Sequence, residues 1–212
     1  MKFVGLSGII GSGKSTVGAA LARRGADVID VDLVSREMQE PGGPLFREIV
    51  ARWGDTVLDD DGRLDRAALG AIVFHDKAQL GELTMMAAPL TESAIVTRAS
   101  ASLGTDRVVV VEAAMHLARA YGMEGLVLVD VDPELALTRL VGQRGMEEDD
   151  ARARLASQLP REVRLEHADF VIDNGGTPEE LDSRVDDAWA WIMALPDATP
   201  TLAVERRGDA TG

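Results

Sequence analysis

Gly8-Ile9-Ile10-Gly11-Ser12-Gly13-Lys14-Ser15 has the spacing G-x-x-x-x-G-K-[ST], that of a phosphate-binding loop. The short apolar run Phe3-Val4-Gly5-Leu6 precedes it and reads as a buried strand. Residues 16–24 follow with helical spacing and stop at Gly25. Strand, glycine loop and helix is the context this motif needs. Glycines let main-chain N–H groups turn inward around phosphate oxygens, where a side chain would block them. The helix N-terminus adds its partial positive charge. Gly11, Ser12, Gly13, Lys14, Ser15 and Thr16 are thus the expected phosphate seat. Lys14 is expected to reach the β- and γ-phosphates and the Ser15 hydroxyl to hold Mg²⁺.

Outward from the loop, β-branched apolar runs recur at residues 3–6, 28–31, 108–111, 126–131 and 170–172. Their continuous rather than alternating character predicts strands covered on both faces, hence a parallel sheet. The expected fold is therefore α/β, a three-layer phosphate-loop domain with about five strands. Right-handed crossovers would bring the first loop to the carboxyl edge of the sheet, where ligands bind.

Between the second and third strands the pattern is helical, with helices expected at 45–53, 66–74, 77–83 and 89–102. This insertion either covers an acceptor or simply packs on the sheet. Residues 139–159 are charged and helical, and Glu147-Glu148-Asp149-Asp150 suits a solvated helix start rather than a metal site. The expected organisation is one domain over 1–195. Its core is 1–43, 104–135 and 165–195, its helical acceptor region 44–103 and its lid 136–164. Residues 196–212, rich in Pro, Thr, Ala and Gly, read as a mobile tail. Trp189 and Trp191 are expected to anchor the last helix, and Trp53 to lie in the core.

Composition narrows the function. The 212 residues carry a formal net charge of −14, which argues against a nucleic-acid partner because phosphate backbones need a basic face. A phosphate loop makes its own local positive field, so ATP is not excluded. With no cysteine, disulfides and thiolate zinc sites are ruled out, and the expected compartment is reducing and cytoplasmic. His75, His116 and His167 are far apart and form no ligand cluster, which leaves surface or capping roles. The start Met1-Lys2-Phe3-Val4 lacks the features of a signal peptide, and no run is long enough to cross a membrane.

Other candidates stand at strand ends. In Asp30-Val31-Asp32, positions two apart share a face of a strand, so one carboxylate should meet the cleft near the γ-phosphate. There Asp32 could accept a proton from an attacking hydroxyl or orient Mg²⁺. The alternative is an Asx turn or N-cap for the next helix. Arg139 and Arg144 are placed to stabilise the transferred phosphoryl group, or else to pair with Glu134 or Glu147. Arg154 and Arg164 carry a weaker version of that reading. Glu112 ends the third strand and is either a water-mediated Mg²⁺ ligand or a plain strand-end carboxylate.

Taken together these residues resemble the dephospho-coenzyme A kinases. The likeness runs through Leu6-Ser7-Gly8-Ile9-Ile10-Gly11-Ser12-Gly13-Lys14-Ser15-Thr16 and Val28-Ile29-Asp30-Val31-Asp32 with Arg36. It continues in Pro41-Gly42-Gly43-Pro44 and in Asp61-Gly62-Arg63-Leu64-Asp65-Arg66 with Leu69 and Val73-Phe74. Arg139, Arg144, Gln158 and Ala168-Asp169-Phe170-Val171-Ile172-Asp173-Asn174 complete it. The resemblance implies ATP- and Mg²⁺-dependent phosphorylation of the ribose 3′-hydroxyl of dephospho-coenzyme A. It implies Asp32 as base, Lys14, Ser15 and Arg139 at the phosphate, magnesium and lid positions, and Asp30, Arg36 and Arg66 on the acceptor side. The assembly expected is a monomer or homo-oligomer with small-molecule substrates and no membrane partner. The chain departs from the family pattern at Ala88-Pro89, where the family has His-Pro. It departs again at Glu112-Ala113-Ala114-Met115-His116-Leu117-Ala118, where the family has D-x-P-L-L-x-E, and at Ile9, where the family's loop has glycine. A kinase for another nucleotide or nucleoside, or a non-catalytic nucleotide-binding relative, remains a rival reading. A GTPase switch lacks the N-K-x-D motif it would need.

Overall fold

β1 (Lys2–Gly8) is the middle strand of a five-stranded sheet ordered β2-β3-β1-β4-β5. The structure, a computed structural model, describes residues 1–114 and 121–200. β3 (Val108–Glu112) and β4 (Gly125–Asp130) flank β1 in parallel, with Val4 level with both Val110 and Gly125. β2 (Ala26–Asp30) and β5 (Phe170–Asp173) form the edges, and β5 runs parallel to β4. Every residue of β4 and the first four of β3 are buried, as their unbroken apolar sequences require. All five expected strands are present. After β3 the chain crosses to the far side of β1, so the strand order reverses there. A crevice at the carboxyl ends is the usual consequence, and the loop after β1 opens into it.

The chain divides into two compact units, Met1–Ile29 with Ala99–Gly212, and Asp30–Arg98. In the first, α1 (Lys14–Arg23) and α9 (Pro178–Ala194) pack against the sheet. Val17, Leu21, Val185, Ala188 and Ile192 are fully buried with Val4, Leu6 and Val127. Burying each of these Val, Leu and Ile side chains contributes about 1.5–3 kcal/mol. Arg24 fastens α1 to α9 through Asp182 at 2.9 Å and Asp186 at 2.7 Å. Trp189 and Trp191 pack against the core as expected. The Trp191 ring lies 5.4 Å from that of Phe170 and rests on Gly125, where a Cβ would sit 2.5 Å from it. α6 (Pro133–Arg144) and α7 (Glu148–Ala156) follow β4, and Glu148, Asp149 and Asp150 occupy the first turn of α7 as a dipole-matched start. The further helix α8 (Arg161–His167) has no counterpart in the sequence reading.

The tail expected from residue 196 is fixed at its start. Asp197 pairs with the Met1 ammonium at 3.4 Å and with Lys2 at 3.2 Å. The Ala198 N–H donates to the Met1 carbonyl, and Ala198 and Pro200 are buried. Residues 201–212 of that expected tail lie outside the described residues. Among the described residues no helix is long and apolar enough to cross a membrane.

The second unit begins at Asp30, ahead of the boundary expected at residue 44, because α2 (Val31–Met38) packs on α3 (Pro44–Trp53). A 3-10 turn (Gly54–Val57), α4 (Arg66–Val73) and most of α5 (Lys77–Ser100) complete it. The sequence predicts two helices split before Pro89, yet α5 is a single helix with Pro89 inside it. Proline has no N–H for the carbonyl of Met85. Met85 is 78% exposed, so water can satisfy that carbonyl and the helix continues. Trp53 is half-buried rather than core, because its indole N–H donates to Gln79 Oε1 at 2.8 Å and Arg52 lies over its ring. The run Asp61 to Arg66 has a structural account. Asp59 Oδ1 accepts from the amides of Asp61 and Arg63, and Asp65 caps α4 by accepting from Ala67 and Ala68.

Candidate functional site

The loop between β1 and α1 owes its shape to glycine. Gly11 (φ 79°) and Gly13 (φ 89°) adopt left-handed backbone that other residues rarely take. A Cβ at Gly11 would fall 2.8 Å from the Ala136 carbonyl, and one at Gly13 would collide with the side-chain amide of Asn174. Part of the loop's hydrogen bonding is internal: Ser12 N–H donates to Ile9, and Thr16 and Val17 N–H both donate to Gly13. The amides of Gly11, Gly13 and Ser15 have no hydrogen-bond partner among the described residues. Three unsatisfied donors at one helix N-terminus make an anion cradle, since unpaired N–H groups are costly unless a ligand takes them. Lys14 arches back over the loop, donating to the carbonyls of Gly8 at 2.9 Å and Ile9 at 3.2 Å. Its ammonium therefore sits on the first two carbonyls of the loop. The Ser12 hydroxyl is buried with no partner among the described residues.

A second layer holds this loop in place. Asn174, at the end of β5 and only 7% exposed, donates from Nδ2 to the Ser12 carbonyl at 2.7 Å. Its own carbonyl accepts from Arg139 Nη2 at 2.8 Å. Gln158, just past α7, accepts the Ile10 N–H at 3.1 Å. The sequence quotes Asn174 and Gln158 within a family-like pattern but gives no clue to these contacts. Beside the loop is a half-open cleft of about 280 Å³, lined by Gly11, Gly13, Thr16, Arg139, Arg144 and Asn174 among others. Its far wall is the start of α9, held by a capping box in which Thr177 and Glu180 bond each other's backbone amides. Next to it, the Gly175 amide holds the Asp173 carboxyl below the usual carboxylate range, helped by Arg184.

Ser15 and Glu112 converge. The Ser15 hydroxyl donates to Glu112 Oε1 at 3.2 Å, so the strand-end carboxylate of β3 does stand against the first turn of α1. Two hard oxygen donors suit Mg²⁺, which takes one or two protein ligands and completes its shell with phosphate and water. Among the described residues no group of three or more His, Asp or Glu side chains could hold a metal.

Other predicted residues fare differently. The strand premise for Asp30 and Asp32 fails, because β2 ends at Asp30 and α2 starts at Val31. Asp30 is the N-cap, its Oδ1 accepting from the amides of Asp32 (2.8 Å) and Leu33 (3.1 Å). Its carboxylate thus serves the helix, and the N-cap alternative holds for it. Asp32 is exposed in the first turn of α2. Arg36 and Arg66 are also exposed, and Arg66 reaches Gln39 Oε1 at 3.3 Å. Among the described residues no ion pair joins Arg139 or Arg144 to Glu134 or Glu147, and Glu134 pairs instead with Arg152. Arg164 is no surface arginine. It is 4% exposed, its Nε and Nη1 have no partner among the described residues, and burial pushes its pKa down. Its neighbour Arg161 holds Asp130, with a 2.9 Å contact from Nε to Oδ2. His75 and His167 bond the carbonyls of Ala71 and Val163, which are capping contacts. His116 and the rest of the divergent stretch 115–118 lie outside the described residues.

Comparison with known proteins matches this chain to a family. The family model described as dephospho-CoA kinase matches residues 2–180. A dephospho-CoA kinase from Thermobifida fusca is 46% identical over 187 residues, covering 88% of this chain and 94% of that protein. One from Streptomyces avermitilis is 45% identical over 193 residues, covering 90% and 93%. Among solved structures, TT1252 from Thermus thermophilus superposes with a TM-score of 0.76 at 28% identity, covering 90% of this chain and 97% of that one. The dephospho-CoA kinase from Campylobacter jejuni shares the fold, with a TM-score of 0.68 at 23% identity over 91% of this chain and 98% of that one.

Proposed function

The chain belongs to the dephospho-CoA kinase family, and we propose from that premise that it transfers the γ-phosphoryl group of ATP to the ribose 3′-hydroxyl of dephospho-CoA, giving CoA and ADP. The observation that carries the reading is the set of unsatisfied amides at Gly11, Gly13 and Ser15 in a loop whose first carbonyls hold the Lys14 ammonium.

The chain's residues divide the work. The cradle fixes the phosphate tail, so the γ-phosphorus is held for in-line attack rather than free to rotate. Lys14 stabilises the charge that gathers on the migrating group. Arg139 and Arg144, on the cleft wall, extend that positive field along the tail. Ser15 and Glu112 would hold Mg²⁺, which supplies further neutralisation of the phosphates. Asp32 is the group assigned to take the proton from the attacking hydroxyl, because it is an exposed carboxylate where the second strand gives way to its helix. Arg36 and Arg66 are assigned to the phosphate groups of the acceptor, for which exposed guanidinium groups are well suited. A chain with no cysteine needs no oxidising compartment, which fits work in the cytoplasm.

An ADP-release assay tests the reading, with dephospho-CoA set against the common nucleoside monophosphates. The expected result is acceptor-dependent release with dephospho-CoA alone. Release driven by a nucleoside monophosphate moves the acceptor assignment, and tight ATP binding with no transfer to any acceptor leaves a nucleotide-binding relative.

A further inference from the structure

We propose that Asn174 is a positioning residue that presets the phosphate loop in the absence of nucleotide, and this rests on the kinase reading above. Three of its four polar groups are committed. Its N–H donates to the Asp130 carbonyl at 2.8 Å, which ties it to the end of β4. Its carbonyl accepts from Arg139 on α6, and its Nδ2 donates to the Ser12 carbonyl in the loop. The Ser12 oxygen can only accept, so the amide must present its NH₂ group there.

The consequence follows from peptide geometry. The Ser12 carbonyl and the Gly13 N–H belong to one planar trans peptide and point in opposite directions. Asn174 holds the Ser12 oxygen, so the Gly13 N–H is turned away from Asn174. That N–H is one of the three cradle amides without a partner among the described residues. A glycine hinge left to itself would sample other peptide orientations, because Gly13 has no Cβ to restrict it. The anchor removes that freedom before ATP arrives, which lowers the ordering cost of binding. The same closeness explains why position 13 must be glycine, since a Cβ there would strike the Asn174 amide. Arg139 couples this anchor to α6, so an arginine that lines the cleft and the peptide held by Asn174 share one support.

Asn174→Ala removes the anchor, and Asn174→Asp replaces the donor by an acceptor that repels the Ser12 carbonyl. ATP affinity is measured by calorimetry, with the Michaelis constants of both substrates. The Ala variant is expected to bind ATP about tenfold more weakly, the Asp variant more weakly still, and the Michaelis constant for dephospho-CoA stays at the wild-type value. ATP affinity within about twofold of wild type in the Ala variant overturns the proposal. So does an equal loss for both substrates, which marks a merely structural role. Should either variant fail to fold, ¹⁵N relaxation of the nucleotide-free wild type still decides. A Gly13 amide as rigid as the β1 backbone supports the anchor, and one mobile on the nanosecond scale overturns it. Wild-type enzyme that binds no ATP sinks the kinase reading together with this inference. Wild-type binding with an unaffected Ala variant sinks the inference alone.

Discussion

The unit carrying the phosphate loop and the helical unit Asp30–Arg98 are built on different chemistry. The first builds its loop around main-chain amides, with the Lys14, Ser15 and Glu112 side chains beside them. Its donors are amides, placed by two left-handed glycines and by neighbours such as Asn174 and Gln158 that grip the loop from outside. In the second, the roles we propose fall to side chains. Asp32, Arg36 and Arg66 are exposed on or beside helices whose backbones are already satisfied by caps at Asp30 and Asp65. A main-chain site is rigid and indifferent to the rest of the ligand, which suits a triphosphate common to many reactions. Exposed side chains can be exchanged one at a time, which suits the substrate that distinguishes one kinase from another.

This contrast can be broken most forcefully at Asp32. Asp32→Asn should lower kcat by about 10²–10⁴-fold and leave ATP affinity unchanged. Steady-state turnover beside a direct ATP titration checks this, and unaltered turnover removes Asp32 as the base. Lys14→Ala acts on the other half. It should cost about 10²–10³-fold in kcat through lost charge stabilisation. An enzyme still fully active without that ammonium would contradict the phosphate-loop account. Smaller and more selective effects belong to Arg36→Ala and Arg66→Ala, each expected to raise the Michaelis constant for dephospho-CoA about tenfold or more with that for ATP untouched. A shift in the ATP constant instead would erase the division between the two units.

The smallest effect concerns the join of the chain ends. Hydrogen bonding from Lys2, aided by the N-terminal ammonium, holds the Asp197 carboxyl below the usual carboxylate range. A group with a lowered folded-state pKa stabilises the fold above its unfolded value, near 3.9, and loses that contribution as pH falls through the folded value. Asp197→Asn should therefore lower the thermal midpoint slightly at neutral pH and not at all at strongly acid pH. Melting curves across that range, with wild type alongside, show whether the gap closes.

What could be read in advance followed the same contrast. β1, the loop and α1 were legible because a local glycine spacing dictates backbone shape over a short stretch, Lys2 to Arg23. The buried strands were legible because a parallel sheet leaves unbroken apolar runs. Only the shared-strand premise for Asp30 and Asp32 fails, because Val31 is β-branched and reads as a strand residue, whereas Asp30 takes its N-cap alternative and starts a helix there. The helix through Pro89 was misjudged because proline usually ends one, and an exposed turn tolerates the missing bond. Asn174 gave no sign of its partner, since Ser12 lies 162 positions away and only folding brings them together. Its place in a family-like stretch was the one available hint.

The central claim is that main-chain amides, not side chains alone, receive the nucleotide. Titrating ATP into ¹⁵N-labelled protein tests it directly, with dephospho-CoA added alone as the comparison. The amide signals of Gly11, Gly13 and Ser15 should move strongly with ATP, in step with its binding, and stay still with dephospho-CoA. ATP that binds while those three signals remain in place would contradict the account.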